Sequence, residues 1–385
     1  MIKKYKNQII YISCVIFSCL FILFSNMYIT EYGNFDINKA ETVVAKATVT
    51  SIIEKTSTES VMGTTEYVEF TALIKGGSMN GAEVTATQIN DAYMAVKMKE
   101  VEIGDKVLLS YLDDIGEEPG WVLGEYIRTD KLMILGAIFM ILLVVFGRFK
   151  GLSTLLSLVF TCLAVFVVLV PSIIGGLNIY FWTILVCAFI IVMTIILVNG
   201  ISVKSTVAMI GCFSGVTVCA ILTTIMDKIL FLTGIVDSDS TFLLLLHEEN
   251  PINLNAIVFA GIAIGAVGAI MDVAISMASS LYEVSCQNEE CSVKAIMQSG
   301  LNIGRDILGT MSNTLILAYI GSSLATVLLL VAYNFSFAQL FNREMIVVEI
   351  LQILIGSFGL LLTIPLTAFF SSVLYPKTKK KIHQV

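Results

Sequence analysis

The chain has 385 residues, 57% of them hydrophobic and 14% charged, with a formal net charge of −7. Soluble domains carry about a quarter charged residues, so this composition excludes an ordinary soluble enzyme and points to a membrane protein. With 30 acidic against 23 basic residues there is no basic excess to hold nucleic acid.

Long apolar windows run at roughly 8–29, 131–147, 152–174, 179–198, 206–226, 252–281, 307–333 and 345–372. Each reaches or approaches the ~20 residues that span hydrocarbon, which predicts about eight transmembrane helices. The first window follows KKYK, as the apolar part of a signal peptide does. SNMYITEYG then has bulky residues where a cleavage site needs small ones, so residues 1–30 read as an uncleaved anchor.

Between the first two windows the chain changes character. Residues 31–130 hold 18 Asp and Glu against 8 Lys and Arg, a separate acidic domain of ordinary small size. Val43, Ala45, Ala47 and Val49 alternate with mostly polar neighbours, as do Val68, Phe70, Ala72 and Ile74, then Ala82, Val84 and Ala86. Such alternation predicts half-buried strands. GGSMNG at 76–81 separates two of them as a hairpin turn. IGDKVLLSY at 103–111 and GWVLGEYIR at 120–128 add a pair joined through LDDIGEEP. Five short strands with one apolar face suggest a small β-rich domain, an OB-like or SH3-like barrel. It is either a recognition module for an envelope ligand or a soluble cap.

Residues 131–374 form a predicted seven-helix membrane core, and 375–385 a basic tail. An inside N-terminus puts twelve Lys and Arg of the termini and short connections in the cytoplasm, and leaves Lys131, Lys228 and Arg343 outside. That bias predicts both termini cytoplasmic and the β-rich domain extracytoplasmic. The segment 227–251 has two short apolar pieces flanking DSDS, each too short to span, and reads as a surface or re-entrant piece. All eight cysteines fall in predicted helices or on the cytoplasmic side, so no disulfide framework is expected. Cys286 and Cys291 bracket QNEE without a second thiol pair or nearby His, a weak zinc signal.

Within the window at 252–281 a carboxylate sits at lipid depth, where insertion costs ~2.5–3.5 kcal/mol. Gly261, Gly265, Gly268, Asp272, Ser276, Ser279 and Glu283 recur at spacings of three and four, one face of one helix, and every member is small or polar. Glycines so placed let a neighbouring backbone approach closely. On the next helix Asp306, Thr310 and Asn313 share a stripe, with Arg305 and Gly309 beside it. Arg305 and Asn313 are therefore the candidate partners of Asp272. In the last window Glu349, Gln352, Gly356, Gly359 and Thr363 repeat the spacing, with Glu349 near the outer end. Asp272 and Glu349 are the groups expected to change charge or bind a cation, unless the stripes serve only as interhelical glue.

GAVGAIMDVAISMASSLYEV followed by GRDILGTMSNTLILAYIGSSL resembles the paired signature of the YibE/F-like family of bacterial integral membrane proteins, over about 130–372. The resemblance implies a bacterial cell-membrane location and marks Asp272, Ser276, Glu283, Arg305, Asp306, Asn313 and Thr314 as motif positions. It names no substrate.

No G-x-x-x-x-G-K-[ST] is present, so nucleotide-driven pumping is not expected. GAIMD lacks the glycine order of intramembrane aspartyl proteases, and HEEN at 247–250 lacks a second His. No catalytic residue, metal or cofactor is expected. The expected function is a secondary transporter or channel-like permease with its polar route around Asp272. The rival is a membrane scaffold or signalling component presenting the β domain. Expected partners are the bilayer, an envelope protein at the β domain, and a second copy of the chain.

Overall fold

A computed structural model describes residues 2–35, 43–60, 63–77, 79–90, 99–112, 120–245, 251–287, 292–333 and 336–382. They form two compact units, Asn38–Leu142 and Met1–Ile37 with Leu143–Val385.

The smaller unit is a closed five-stranded barrel of β1 (Val43–Ser60), β2 (Gly63–Ile74), β3 (Glu83–Asn90), β4 (Lys106–Leu112) and β5 (Gly120–Tyr126), ordered β1-β2-β3-β5-β4. β1 is long enough to serve two neighbours. Its first half pairs with β4 from Val43↔Tyr111 to Thr48↔Lys106, and its second half pairs with β2. Bulges at Val49/Ser51 and Ile52/Glu54 bend it between the two roles. A single parallel contact, β3 with β5, completes the circuit, the OB-like member of the two expected barrels. Period-two residues fill the interior: Ala47, Val49, Val68, Phe70, Ala72, Ile74, Ala86, Val107 and Leu109 are all buried. Gly76, Gly77 and Gly81 take positive φ in the β2–β3 turn, a backbone state glycine adopts at no steric cost. Residues 113–119, the expected β4–β5 link with its acidic pairs, lie outside the described residues.

Buried Gln88 stitches the strand-like segment before β4 to β3, donating to Lys99 O at 2.8 Å and accepting from Val101 N–H at 2.9 Å. Beside it, partial burial works to raise the Asp105 carboxyl, but the Lys99 ammonium at 2.8 Å and the Glu102 N–H at 3.0 Å outweigh it and hold the group below its ordinary value. A depressed carboxylate stabilises the fold at pH above its unfolded-state value of about 3.9, and the contribution is lost as pH falls through the lower folded value. Acid titration below about pH 4 should therefore loosen this corner. Trp121 fluorescence in a Trp182→Phe background should show it, and Asp105→Asn should flatten the acid limb.

The larger unit is helical. α1 (Ile2–Tyr32) lies antiparallel to α4 (Ile179–Asn199), stacking Phe21 on Phe189 at 4.3 Å and setting Tyr28 near Trp182 at 6.1 Å. α2 (Thr129–Leu163) continues through a π-helical turn (Ala164–Leu169) into α3 (Val170–Ile174). Pro171 explains the wide turn: it lacks an N–H and crowds the preceding carbonyls. Val170 N–H reaches back five residues to Val165 O. Asn178 caps α4, accepting from Phe181 N–H at 3.0 Å. α5 (Val203–Leu230) follows after Gly200, whose φ of 70° permits the tight reversal. Then come α6 (Ser238–Leu245), α7 (Leu254–Gln287), α8 (Val293–Ser322), α9 (Leu324–Ala332), α10 (Phe337–Phe341) and α11 (Glu344–Ile382).

Among the described residues, six helical stretches are long and apolar enough to cross a membrane: Gln8–Tyr32, Thr129–Ile174, Ile179–Asn199, Val203–Leu230, Leu254–Gln287 and Glu344–Pro376. Two differences separate this from the eight expected windows. The windows at 131–147 and 152–174 share one 46-residue run, about twice the length one crossing needs. The run breaks at Arg148, whose φ of 49° and ψ of −128° are not helical. Gly151 packs directly on the backbone of Leu143 beyond the break. The window at 307–333 is divided between α8 and α9 at Ser322–Ser323, and α8 with its polar residues falls outside the six.

After α5 the chain is tied down by polar caps. Both Glu344 oxygens engage the 233–234 turn, accepting from Thr233 N–H at 2.7 Å, Gly234 N–H at 2.6 Å and Thr233 Oγ1 at 2.8 Å. Asn255 Nδ2 donates to Leu232 O at 2.8 Å, and Asp237 accepts from Ser240 N–H at 2.7 Å. Residues 246–250, including HEEN, lie outside the described residues.

Candidate functional site

The site is built on a glycine seam. Gly211 and Gly215 of α5 sit against Thr367 and Thr363 of α11, leaving no room for a Cβ at either glycine. Gly359 of α11 meets Cys219 of α5, and Cys219 Sγ donates to Ile355 O at 3.4 Å. Small residues four apart let the two backbones close, which supplies packing where lipid offers no hydrophobic drive. The Gly-x-x-x-Gly spacing at 211–215 is the sequence signal for this seam, and it lies outside the stripes at 261–283 and 349–363. Gly356 also packs, with Leu315 Cδ2 at 3.1 Å from where its Cβ would stand.

α7 fits into this frame by its apolar side. Ile270, Val273, Ala274, Met277 and Leu281 are fully buried. The opposite side holds the small and polar stripe, where Gly261, Gly265, Gly268, Asp272 and Ser276 are exposed. A Cβ at Gly261 or Gly268 would meet nothing within 4 Å. At Gly265 the hydroxyl of Tyr319 leans over the backbone, 2.5 Å from the position a Cβ would take, with Gln352 Nε2 at 3.4 Å. Three helices thus bring a phenol and an amide together over one glycine. Glu349 lies one turn before Gln352 and is half-buried.

α8 is similarly two-sided. Gly300 and Gly304 are buried against Ala368 and Ile364 of α11, positions the sequence stripes did not include. Arg305, Asp306, Gly309, Asn313 and Thr314 are exposed, and Gly309 has open space where a Cβ would stand. Thr314 Oγ1 only returns a hydrogen bond to Thr310 O at 2.9 Å. The expected Asp272 to Arg305 contact is not made: among the described residues neither side chain forms a hydrogen bond or ion pair.

At the far end of the stripe, Glu283 approaches Lys204 at 4.0 Å, and Lys204 Nζ lies 5.0 Å over the Tyr282 ring. Tyr375 meets Tyr282 edge-on at 5.4 Å and donates from its hydroxyl to Ala278 O at 2.7 Å. Ser279 is half-buried and opens into a small polar cavity beside Lys204. Among the described residues no group of three or more His, Cys, Asp and Glu is placed to hold a metal. Cys286 is a free thiol, and Cys291 lies outside the described residues.

Apolar helices of spanning length, closed on a glycine seam and carrying polar groups on α7 and α8 that have no partner among the described residues, fit a multi-pass helical membrane protein. The chain belongs to the YibE/F-like protein family, whose family model matches residues 135–377, more than half of its length. The match includes α5, α7, α8 and nearly all of α11. No functionally curated protein and no solved structure matches the chain.

Proposed function

We propose that this protein is a permease, of the secondary-transporter or channel type, whose polar route runs along the outward sides of α7 and α8. The observation that carries the reading is Asp272: an exposed carboxylate at mid-helix, on a face of glycines and serines, with no hydrogen bond or ion pair among the described residues. Left against acyl chains it costs ~2.5–3.5 kcal/mol; beside a water-filled route it keeps its hydration. The resemblance to the YibE/F-like family implies a bacterial cell-membrane location, and the Lys and Arg bias supports both termini cytoplasmic and the barrel outside. A second copy of the chain is the partner that would close the open side of the route. The barrel's separate compactness suits a module that meets an envelope partner.

Substituted-cysteine labelling tests the route. A thiol at Ser276, one turn from Asp272, should react with a charged, membrane-impermeant reagent at least tenfold faster than the exposed native Cys162 on α2. Equal, slow labelling of both would put the α7 face against lipid and remove the route.

A further inference from the structure

A small cavity of about 160 Å³ lies where α4 ends and α5 begins. Its polar walls are Lys150, Asn199, Lys204, Ser205 and Ser279. That space equals about five water volumes at ~30 Å³ each. It admits a phosphate group with a water or two and is too small for a nucleotide.

The electrical character of the walls is one-sided. Among the described residues no carboxylate lines the cavity, while two lysines from distant parts of the chain border it. Lys150 arrives two residues after the helical run breaks at Arg148, whose φ of 49° is one a non-glycine residue seldom adopts. Lys204 is the second residue of α5, and its nearest acid, Glu283, stands 4.0 Å away on an exposed side chain, too weak a pair to neutralise it. Ser202 caps α5 by accepting from Ser205 N–H at 3.1 Å, and Ser205 Oγ donates to Gly200 O at 2.5 Å. The start of a 28-residue helix is thereby fixed at the cavity wall, adding its partial positive charge to the two lysines.

Depth matters as much as charge. Asn199 is the last residue of one membrane-length helix and Val203 the first of the next, which places the cavity at the level of lipid headgroups. Basic pockets between helices at that level hold phosphate-bearing groups, and lysine serves phosphate as a point charge. We propose that this cavity is a phosphate-binding site, occupied either by the headgroup of an anionic phospholipid or by free inorganic phosphate.

The test uses the full chain in nanodiscs, comparing the parent with Lys150→Gln and with Lys150→Gln/Lys204→Gln. Lys150 is exposed, so the single variant should fold whatever the double one does. Native mass spectrometry reads bound phosphatidylglycerol in mixed discs, and thermal melting reads added inorganic phosphate against equal chloride in phosphatidylcholine discs. The expected result is binding to the parent in at least one arm, weakened several-fold by the single variant and at least tenfold by the double. Retained lipid without a phosphate response assigns the headgroup; a phosphate response in neutral discs assigns the free anion. Indifference of the parent in both arms overturns the proposal, as does undiminished binding by Lys150→Gln.

Discussion

Gly215→Leu should leave no correctly closed bundle. A Cβ at Gly215 overlaps Thr363 Oγ1 and comes within 3.0 Å of Ile270 Cγ2 and 3.3 Å of Gly359 O. None of these can step aside: Thr363 and Ile270 are fully buried, the threonine hydroxyl is bonded to Gly359 O at 2.7 Å, and that carbonyl is helix backbone. Alanine alone should cost about 1–3 kcal/mol of overpacking. Leucine adds three carbons in the same place and should approach the ~5 kcal/mol that separates many folded proteins from unfolding. Melting in detergent and the monodisperse yield check it. Gly215→Ala should melt several degrees lower, Thr363→Ala should recover part of that loss, and Gly268→Leu, with open space around it, should melt like the parent. A Gly215→Leu protein as stable as the parent would show that α5 and α11 do not meet along this seam.

The second large effect separates stability from activity. Asp272→Ala and Asp272→Asn should each abolish function while leaving the protein as stable as the parent. Among the described residues the carboxylate makes no hydrogen bond or ion pair that its removal would break, so the packing is untouched by its loss. A carboxylate that holds nothing together fits a functional role better than a structural one. With the transported species unidentified, the readout is untargeted metabolite and ion profiling of a deletion strain carrying each variant. Both should reproduce the deletion profile at normal protein level and melting temperature. Parental profiles from both variants would leave only the scaffold reading.

Much of the architecture is legible in residue spacing. Period-two alternation located the barrel strands at Val68–Ile74 and Val84–Ala86, because a pleat sends alternate side chains to one interior. Spacings of three and four correctly grouped Gly261, Gly265, Gly268, Asp272 and Ser276 on one side of α7. They did not say which way that side points. The seam was expected to face protein neighbours, and in the single chain it faces outward, because Ile270, Ala274 and Leu281 on the other side supply the packing. Periodicity also cannot register a helix against its neighbour. Tyr319 over Gly265 and Gly304 against Ile364 depend on how α8 slides along α7 and α11, and nothing local to α8 encodes that offset. The Arg148 break is hidden for a related reason: a non-glycine residue at φ 49° follows no residue preference a reader would apply.

Closure of the five-stranded ring restricts how the barrel can be recognised. Ring closure takes both flanks of Ala47 and Thr48, which pair with β2 and β4 at once. Beyond them, among the described residues, Ser51–Ser60 of β1 pairs with β2 alone, which leaves that flank for an incoming peptide strand, whereas a companion bound elsewhere on the ring reads outward-pointing side chains or the connecting turns. Selectivity would then vary with surface residues such as Glu54 and Glu69, and the backbone ladder could stay the same across such changes.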